Sequence, residues 1–89
     1  MKAIVTVVGK DQVGIIAAVC SLLAENNVNV LDISQTILRE FFTMTMLVDV
    51  SACTLPFTVL TTMLEKEGEK RGLSIRAQLE DIFDAMHKI

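Results

Sequence analysis

Residues 2–26 read KAIVTVVGKDQVGIIAAVCSLLAEN, and this stretch decides the fold. Residues 2–8 carry Val and Ile on both parities, which is typical of a central strand that is covered on both faces. Residues 14–26 place large aliphatic side chains at spacings of three and four, which predicts a helix. A short polar loop from Gly9 to Gly14 joins them, so the chain opens with a strand, a loop and a helix.

Two β-rich runs follow, residues 28–38 and residues 41–50, and a short charged turn separates them. Runs of this composition joined by so few residues predict a β-hairpin. The second run alternates well, as a strand with one buried face does. In the first run the apolar parity shifts between Val30 and Leu31, which indicates a β-bulge at that point.

A second helix and a last strand complete the order of elements. Residues 56–71 predict the helix, because Pro56 lies near its start and Gly72 follows its end. Residues 73–80 alternate apolar and polar side chains and predict a strand. The order β-α-β-β-α-β predicts an α+β fold, a ferredoxin-like sandwich in which a four-stranded antiparallel sheet carries both helices on one face.

The length and composition predict one domain and more than one copy of it. We assign residues 1–89 to a single domain, with a core of about residues 2–80 and a short terminal helix or ordered tail over residues 81–89. The chain is 52% hydrophobic and its mean hydropathy is +0.52, which is high for a small monomer. The sheet face without helices also lacks cover, so we expect a homo-oligomer, a dimer or higher.

Charge and hydropathy patterning exclude several classes of function. A net charge of −3 and a pI near 4.9 argue against a nucleic-acid partner, since that surface needs basic side chains to neutralise phosphates. Val13 to Ala24, the longest nearly uncharged run, is shorter than the ~20 residues of a membrane-spanning helix. The N-terminal run also lacks the pattern of a secretory signal, so we expect a cytoplasmic protein without membrane contact.

The residues that most often carry catalysis or bind metals do not form a pattern here. Cys20 and Cys53 lie far apart among apolar residues, which predicts buried reduced thiols and argues against a disulfide or a metal site. His87 is the single histidine, and no orienting motif accompanies it. We therefore expect no metal, no cofactor and no catalytic residue.

The loop from Gly9 to Gly14 is the candidate site. A loop that opens a helix exposes unpaired backbone N–H groups, which suit a small anion such as a carboxylate. Its two glycines have the spacing of a phosphate-binding loop, but Ile15-Ile16 stand where that motif requires Lys and then Ser or Thr. Asp11 has a second use open to it, because Asp at this point often caps the following helix.

Two stretches carry a resemblance to a known family: residues 5–16, VTVVGKDQVGII, and residues 23–33, LAENNVNVLDI. Their Asp-x-x-Gly followed by Asn-Val resembles the ACT domain, the amino-acid-sensing module of many metabolic enzymes and regulators. The closing residues 80–89, EDIFDAMHKI, are similar to the tail of small stand-alone prokaryotic ACT proteins. The resemblance implies a small amino acid or similar carboxylate as ligand, held at an interface between domains.

Carried onto this sequence, the resemblance implies six ligand-binding residues: Asp11, Gln12, Val13, Gly14, Ile15 and, across the interface, Asn29. Asp11 suits an ammonium group, and the carboxamide of Asn29 both donates and accepts hydrogen bonds. Asn29 also has a local alternative, a hydrogen bond within its own turn. Gly9 and Asp11 stand where the serine-binding pattern has His and Asn, so the identity of the ligand stays open.

Three functions are weighed from these observations. The leading hypothesis is a non-enzymatic regulatory module that binds a small amino acid and acts in trans on a metabolic enzyme or regulator. The enzyme alternative is an acyl-phosphate or phosphate-ester hydrolase, a chemistry known on similar folds, for which Lys10 is the sole cation in the first loop. The third is a structural adaptor whose loop holds no ligand.

Overall fold

The structure, a computed structural model, describes residues 1–82. The elements are β1 (Lys2–Lys10), α1 (Ile15–Glu25), β2 (Asn29–Leu38), β3 (Phe41–Asp49), α2 (Phe57–Lys70) and β4 (Leu73–Leu79). This is the predicted order, and each boundary agrees with the sequence-based expectation to within about two residues. The helix or tail expected over residues 81–89 lies, beyond residue 82, outside the described residues.

The four strands form one antiparallel sheet in the order β2-β3-β1-β4. β1 is central, because it pairs with β3 on one side and with β4 on the other. The hairpin of β2 and β3 therefore places β2 at one edge, while β4 forms the other. The predicted ferredoxin-like sandwich is confirmed.

The hydrophobic core lies between the sheet and the two helices. Ile15, Val19 and Leu23 of α1 and Leu60 and Leu64 of α2 are buried in the same cluster as alternate residues of β1, β3 and β4. Because the helices bury their apolar stripes on one face of the sheet, the opposite face stays open. The sheet therefore has a helix-facing side and an open side.

The predicted β-bulge is confirmed at Leu31. The register of β2 against β3 passes from Val30 opposite Val48 to Asp32 opposite Leu47, which leaves Leu31 without a partner. An extra residue reverses the parity of the strand that follows it. Ile33, Gln35 and Ile37, the alternate residues after the bulge, therefore lie opposite Met46, Met44 and Phe42 on the helix-facing side.

β2 receives little cover from the rest of the chain. Ile33 and Ile37 are 40% and 54% exposed, although they lie on the side of the sheet that carries the helices.

The open side of the sheet is also uncovered. There Val8 of β1 is 43% exposed and Phe41 of β3 is 52% exposed. Within residues 1–82, β1 is thus well covered on one face only, whereas the sequence pattern predicts cover on both.

Three further details complete the fold. Asn27 adopts φ 58° just after α1, a left-handed conformation that ends the helix. Cys20 and Cys53, predicted to be buried reduced thiols, are free thiols that lie partly buried against the core. Within residues 1–82, no helix is both long enough and apolar enough to cross a membrane.

Candidate functional site

The loop between β1 and α1 ends at Gly14, which occupies the N-cap position of the helix. Gly14 has φ 86° and ψ 8°, a left-handed conformation that glycine adopts without steric cost. The N–H of Ala18 donates to the Gly14 carbonyl oxygen over 2.9 Å, which is the first bond of the helix. The backbone N–H groups that come before Ala18 in the first turn of the helix have no partner within the helix.

Asp11 does not cap α1, so the capping interpretation is wrong. No side chain makes a cap hydrogen bond at this helix, because the left-handed glycine occupies the cap position three residues after Asp11. The Asp11 side chain is exposed and makes no hydrogen bond or ion pair within residues 1–82. Its carboxylate is therefore available to a ligand.

Two hydrogen bonds fix the loop from opposite sides. The backbone N–H of Asp11 donates to the carbonyl oxygen of Glu40, in the β2–β3 turn, over 2.7 Å. The Gln12 Nε2 donates to the carbonyl oxygen of Arg71, at the end of α2, over 3.0 Å. The loop is thus held between the hairpin turn and the α2–β4 turn, and both donors are already in use.

A cavity of about 190 Å³ lies between this loop, the first turn of α1 and the neighbouring end of the sheet. Its lining comprises Asp11, Gln12, Gly14, Ile15, Ile16, Ala17, Gln35, Ile37 and Phe42. Pockets for drug-sized ligands are larger, about 300–1,000 Å³, so this volume suits a metabolite of few heavy atoms. The cavity is partly open to solvent.

The structure brings four of the six predicted site residues together. Asp11, Gln12, Gly14 and Ile15 all line the cavity, although the Gln12 amide is also bonded to Arg71. Val13 does not, since its side chain is fully exposed at the tip of the loop.

Asn29 lies apart from the other five residues. It begins β2, about 20 Å along the strand from Gln35 at ~3.3 Å per residue. It is therefore not in the cavity of its own chain, and its predicted place across an interface stays a prediction.

Sequence reasoning missed the sheet wall of the cavity. Gln35 and Ile37 of β2 and Phe42 of β3 form this wall. The predicted bulge between Val30 and Leu31 carried the missing signal, because it reverses the parity of β2 and turns Gln35 toward the helices. Following that parity to the end of the strand identifies Gln35 from sequence alone.

The chemistry of the cavity is mixed and mildly acidic. Asp11 supplies a carboxylate, Gln35 supplies a carboxamide, and aliphatic and aromatic carbon forms much of the remaining wall. Lys and Arg are absent from this lining among the described residues, and residues 1–82 contain no group of three or more His, Cys, Asp or Glu side chains placed to hold a metal ion. The arrangement suits a small molecule with an ammonium group.

One acidic group with a shifted pKa lies at the opposite end of the sheet. The hydroxyl and the backbone N–H of Ser51, aided by the N-terminal ammonium, hold the pKa of Asp49 below its ordinary value. Asp49 ends β3, where its backbone lies opposite Lys2 of β1 and Asn29 of β2 in the sheet. Its interactions close the turn after β3, so we assign it a structural role.

Comparison with known proteins agrees with this fold. A family model described as the ACT domain matches residues 2–78. The chain belongs to the ACT domain family. ACT domain proteins are generally regulatory, and the family suggests a role in binding small molecules.

Close relatives match this chain over almost their full length. A UPF0237 protein of Clostridium acetobutylicum is 54% identical over 89 residues, which covers 100% of both chains. A UPF0237 protein of Methanocaldococcus jannaschii is 49% identical over 88 residues, which covers 99% of this chain and 98% of the relative. Among solved structures, an ACT domain protein from Streptococcus pneumoniae superposes with a TM-score of 0.83 at 46% identity, covering 98% of each chain.

Proposed function

We propose that this ACT domain is a non-catalytic regulatory module that binds a small amino acid or related carboxylate in the cavity beside Asp11. The observation that carries the proposal is the coincidence of three features at one place. The loop that resembles the ACT ligand loop lines a cavity of about 190 Å³, and its Asp11 carboxylate makes no contact that would occupy it. A charged, unpartnered acceptor in a small, mostly apolar cavity favours a zwitterion, whose ammonium group it meets with a charge-assisted hydrogen bond.

The proposed module acts in trans, in the cytoplasm, as a homo-oligomer. Two uncovered surfaces support association: the open side of the sheet and the unpaired edge of β2. We favour the β2 edge, because its backbone N–H and C=O groups form a ready template for a second strand. Ile33 and Ile37 add exposed apolar area along the same edge.

Pairing at this edge also gives Asn29 its proposed role. If the β2 strands of two copies pair antiparallel about their midpoints, Asn29 of one copy lies beside Leu38 of the other. That end of β2 is next to Ile37, which lines the cavity. Each ligand would then contact both copies, so that binding changes the affinity of one copy for the other.

The hydrolase alternative has no comparable support. Phosphate-ester chemistry relies on cationic groups around the transferred phosphoryl group. Lys10 is exposed at the end of β1 and lies outside the lining of the cavity.

Thermal-shift screening of the twenty amino acids at millimolar concentration, followed by calorimetry on those that stabilise the protein, tests the proposal. We expect a stabilising ligand, and we expect Asp11→Ala to weaken its binding about tenfold or more, because a hydrogen bond to a charged group contributes ~1.5–3 kcal/mol. Asp11 caps no helix, so this variant should melt at the wild-type temperature.

Glu65→Ala is the matched control, since it removes an exposed carboxylate of α2 that lies outside the cavity. It should bind the ligand as the wild type does. A protein that no amino acid stabilises would be the ligand-free adaptor, and turnover of an acyl phosphate would restore the hydrolase.

A further inference from the structure

The helix-facing side of the sheet carries one polar side chain, and it is Gln35. In strand order β2, β3, β1 and β4, the residues on this side of the described strands are Val30, Ile33, Gln35, Ile37; Phe42, Met44, Met46, Val48; Ala3, Val5, Val7, Gly9; and Leu73, Ile75, Ala77, Leu79. Gln35 lies directly opposite Met44, which is completely buried. Gln35 itself is exposed, since β2 is an edge strand, so its carboxamide bonds water, and a ligand that covers it has to supply a hydrogen-bond partner in place of that water.

Residues 1–82 offer the side chain of Gln35 no hydrogen-bond partner. Ile33 and Ile37 flank this side chain on its side of the strand. Its side chain contributes to the wall of the cavity that also contains Asp11. Gln35 therefore places a hydrogen-bonding group without a protein partner at the wall of the space that a ligand is proposed to fill.

We infer that Gln35 is the specificity-determining residue of this cavity and that it selects amino acids with a short, uncharged, hydrogen-bonding side chain. This inference rests on the proposed function. Asp11 lies on the loop wall and meets the ammonium group, so the ligand side chain points to the sheet wall. There Ile37 and Phe42 give apolar contact, and Gln35 gives the single polar one. A site built to hydrogen-bond a hydroxyl or amide discriminates against an isostere that lacks it, because the protein group is then left unpaired.

Threonine and valine are the probes, since they differ by a hydroxyl in place of a methyl group. We expect the wild-type protein to bind threonine about tenfold more tightly than valine, the ratio that one neutral hydrogen bond supports. Gln35→Met keeps the length of the side chain and removes its hydrogen-bonding groups. It should bind the two amino acids equally, mainly by losing affinity for threonine, as calorimetry measures.

Two further variants keep the result specific. Thr36→Val makes a similar polar-to-apolar change at the next residue of β2, which faces the open side, and should retain the threonine preference. Gln35→Glu retains an acceptor for the threonine hydroxyl and should retain part of that preference. Circular dichroism and the melting temperature establish that each variant is folded.

Several outcomes would overturn the inference. Equal binding of threonine and valine by the wild type removes it while leaving the proposed function intact. If Gln35→Met loses affinity for threonine and valine equally, Gln35 contacts the ammonium or carboxylate group that both ligands share. If the variant loses only self-association, as sedimentation measures, Gln35 belongs to a contact between copies. If no amino acid binds the wild type, the proposed function fails and the inference fails with it.

Discussion

Gly68 is a buried residue of α2 that packs directly against β4. A Cβ atom at this position would lie 2.7 Å from the carbonyl oxygen of Leu73 and 2.9 Å from Cγ1 of Ile75. The first of these neighbours is backbone within a paired strand, so it cannot move aside as a flexible side chain does. The absence of a side chain is what lets α2 and β4 approach.

We therefore predict that Gly68→Ala lowers the free energy of unfolding by ~1–3 kcal/mol, the usual cost of overpacking. The helix propensity of Ala acts in the opposite sense by up to ~1 kcal/mol, so the packing term has to exceed it. Urea denaturation measures the difference. Lys66→Ala, at an exposed position of the same helix, is the control and should change stability little. A Gly68→Ala protein as stable as the wild type would mean that α2 shifts away from β4 freely.

Gln12 is one of the predicted ligand-binding residues, and its side-chain amide also makes a hydrogen bond to the backbone. The 3.0 Å bond from its Nε2 to the Arg71 carbonyl oxygen ties the ligand loop to the α2–β4 turn. A carboxylate of the same length cannot donate this bond. We predict that Gln12→Glu speeds amide hydrogen exchange of Asp11, whose N–H bonds to Glu40, without changing the global stability by more than about 1 kcal/mol.

Native-state exchange followed by NMR checks this prediction, with the amides of central β1 as an internal reference. Those amides should exchange at the wild-type rate, because Val5 and Val7 lie in the core. Unchanged exchange at Asp11 would show that the Glu40 contact holds the loop alone.

At the scale of elements, β2 is one of the two edge strands of the sheet, and it carries exposed apolar side chains. Lysine on an edge strand opposes pairing with a second strand, because its charge has to leave water. We predict that Ile33→Lys shifts the protein toward the monomer. Phe41→Lys, on the open side of β3, should leave association unchanged. Sedimentation velocity of the two variants at equal concentration compares the surfaces, and the reverse result would assign the interface to the open side.

The elements themselves were predictable from sequence because each has a strong local signal. The helices show apolar spacings of three and four, the strands β3 and β4 alternate, and glycine, asparagine or proline marks several boundaries. Even the bulge at Leu31 was predictable, since a parity shift in a strand has few other causes.

The site was only half predictable, for physical reasons. The loop wall is local in sequence, so the motif around Asp11 and Gly14 located it. The sheet wall depends on how β2 is registered against β3, which brings Gln35 and Ile37 next to residues that precede them by about twenty positions. The prediction that Asp11 caps α1 was wrong because Gly14 occupies the cap position in a left-handed conformation. The geometry of the turn determines that conformation, and the residue types alone do not reveal it.

At the scale of the whole molecule, one chain leaves too much apolar surface in water. Leu38, at the end of β2, is 71% exposed, and exposed apolar residues occur on both sides of the sheet. A soluble monomer rarely leaves apolar patches of this kind without a partner. This distribution agrees with the high hydrophobic content of the sequence.

We predict that the protein is at least a dimer at micromolar concentration. Sedimentation equilibrium over a tenfold concentration range measures the mass directly, against a monomer mass of 9.8 kDa. We also expect the ligand to raise the apparent association constant, because a site shared by two copies links occupancy to assembly. A 9.8 kDa species at every concentration, with or without amino acids, would contradict both expectations.

Val13 gives this protein a natural position for an optical reporter. The chain contains no Trp and no Tyr, so it has almost no fluorescence of its own above about 300 nm. Because the Val13 side chain stands fully in solvent at the tip of the loop, an indole there displaces no packed neighbour and lies next to a residue that lines the cavity. The emission of Val13→Trp would then come from a single site, and its wavelength would report when the loop becomes shielded from water, whether by a ligand or by a second copy.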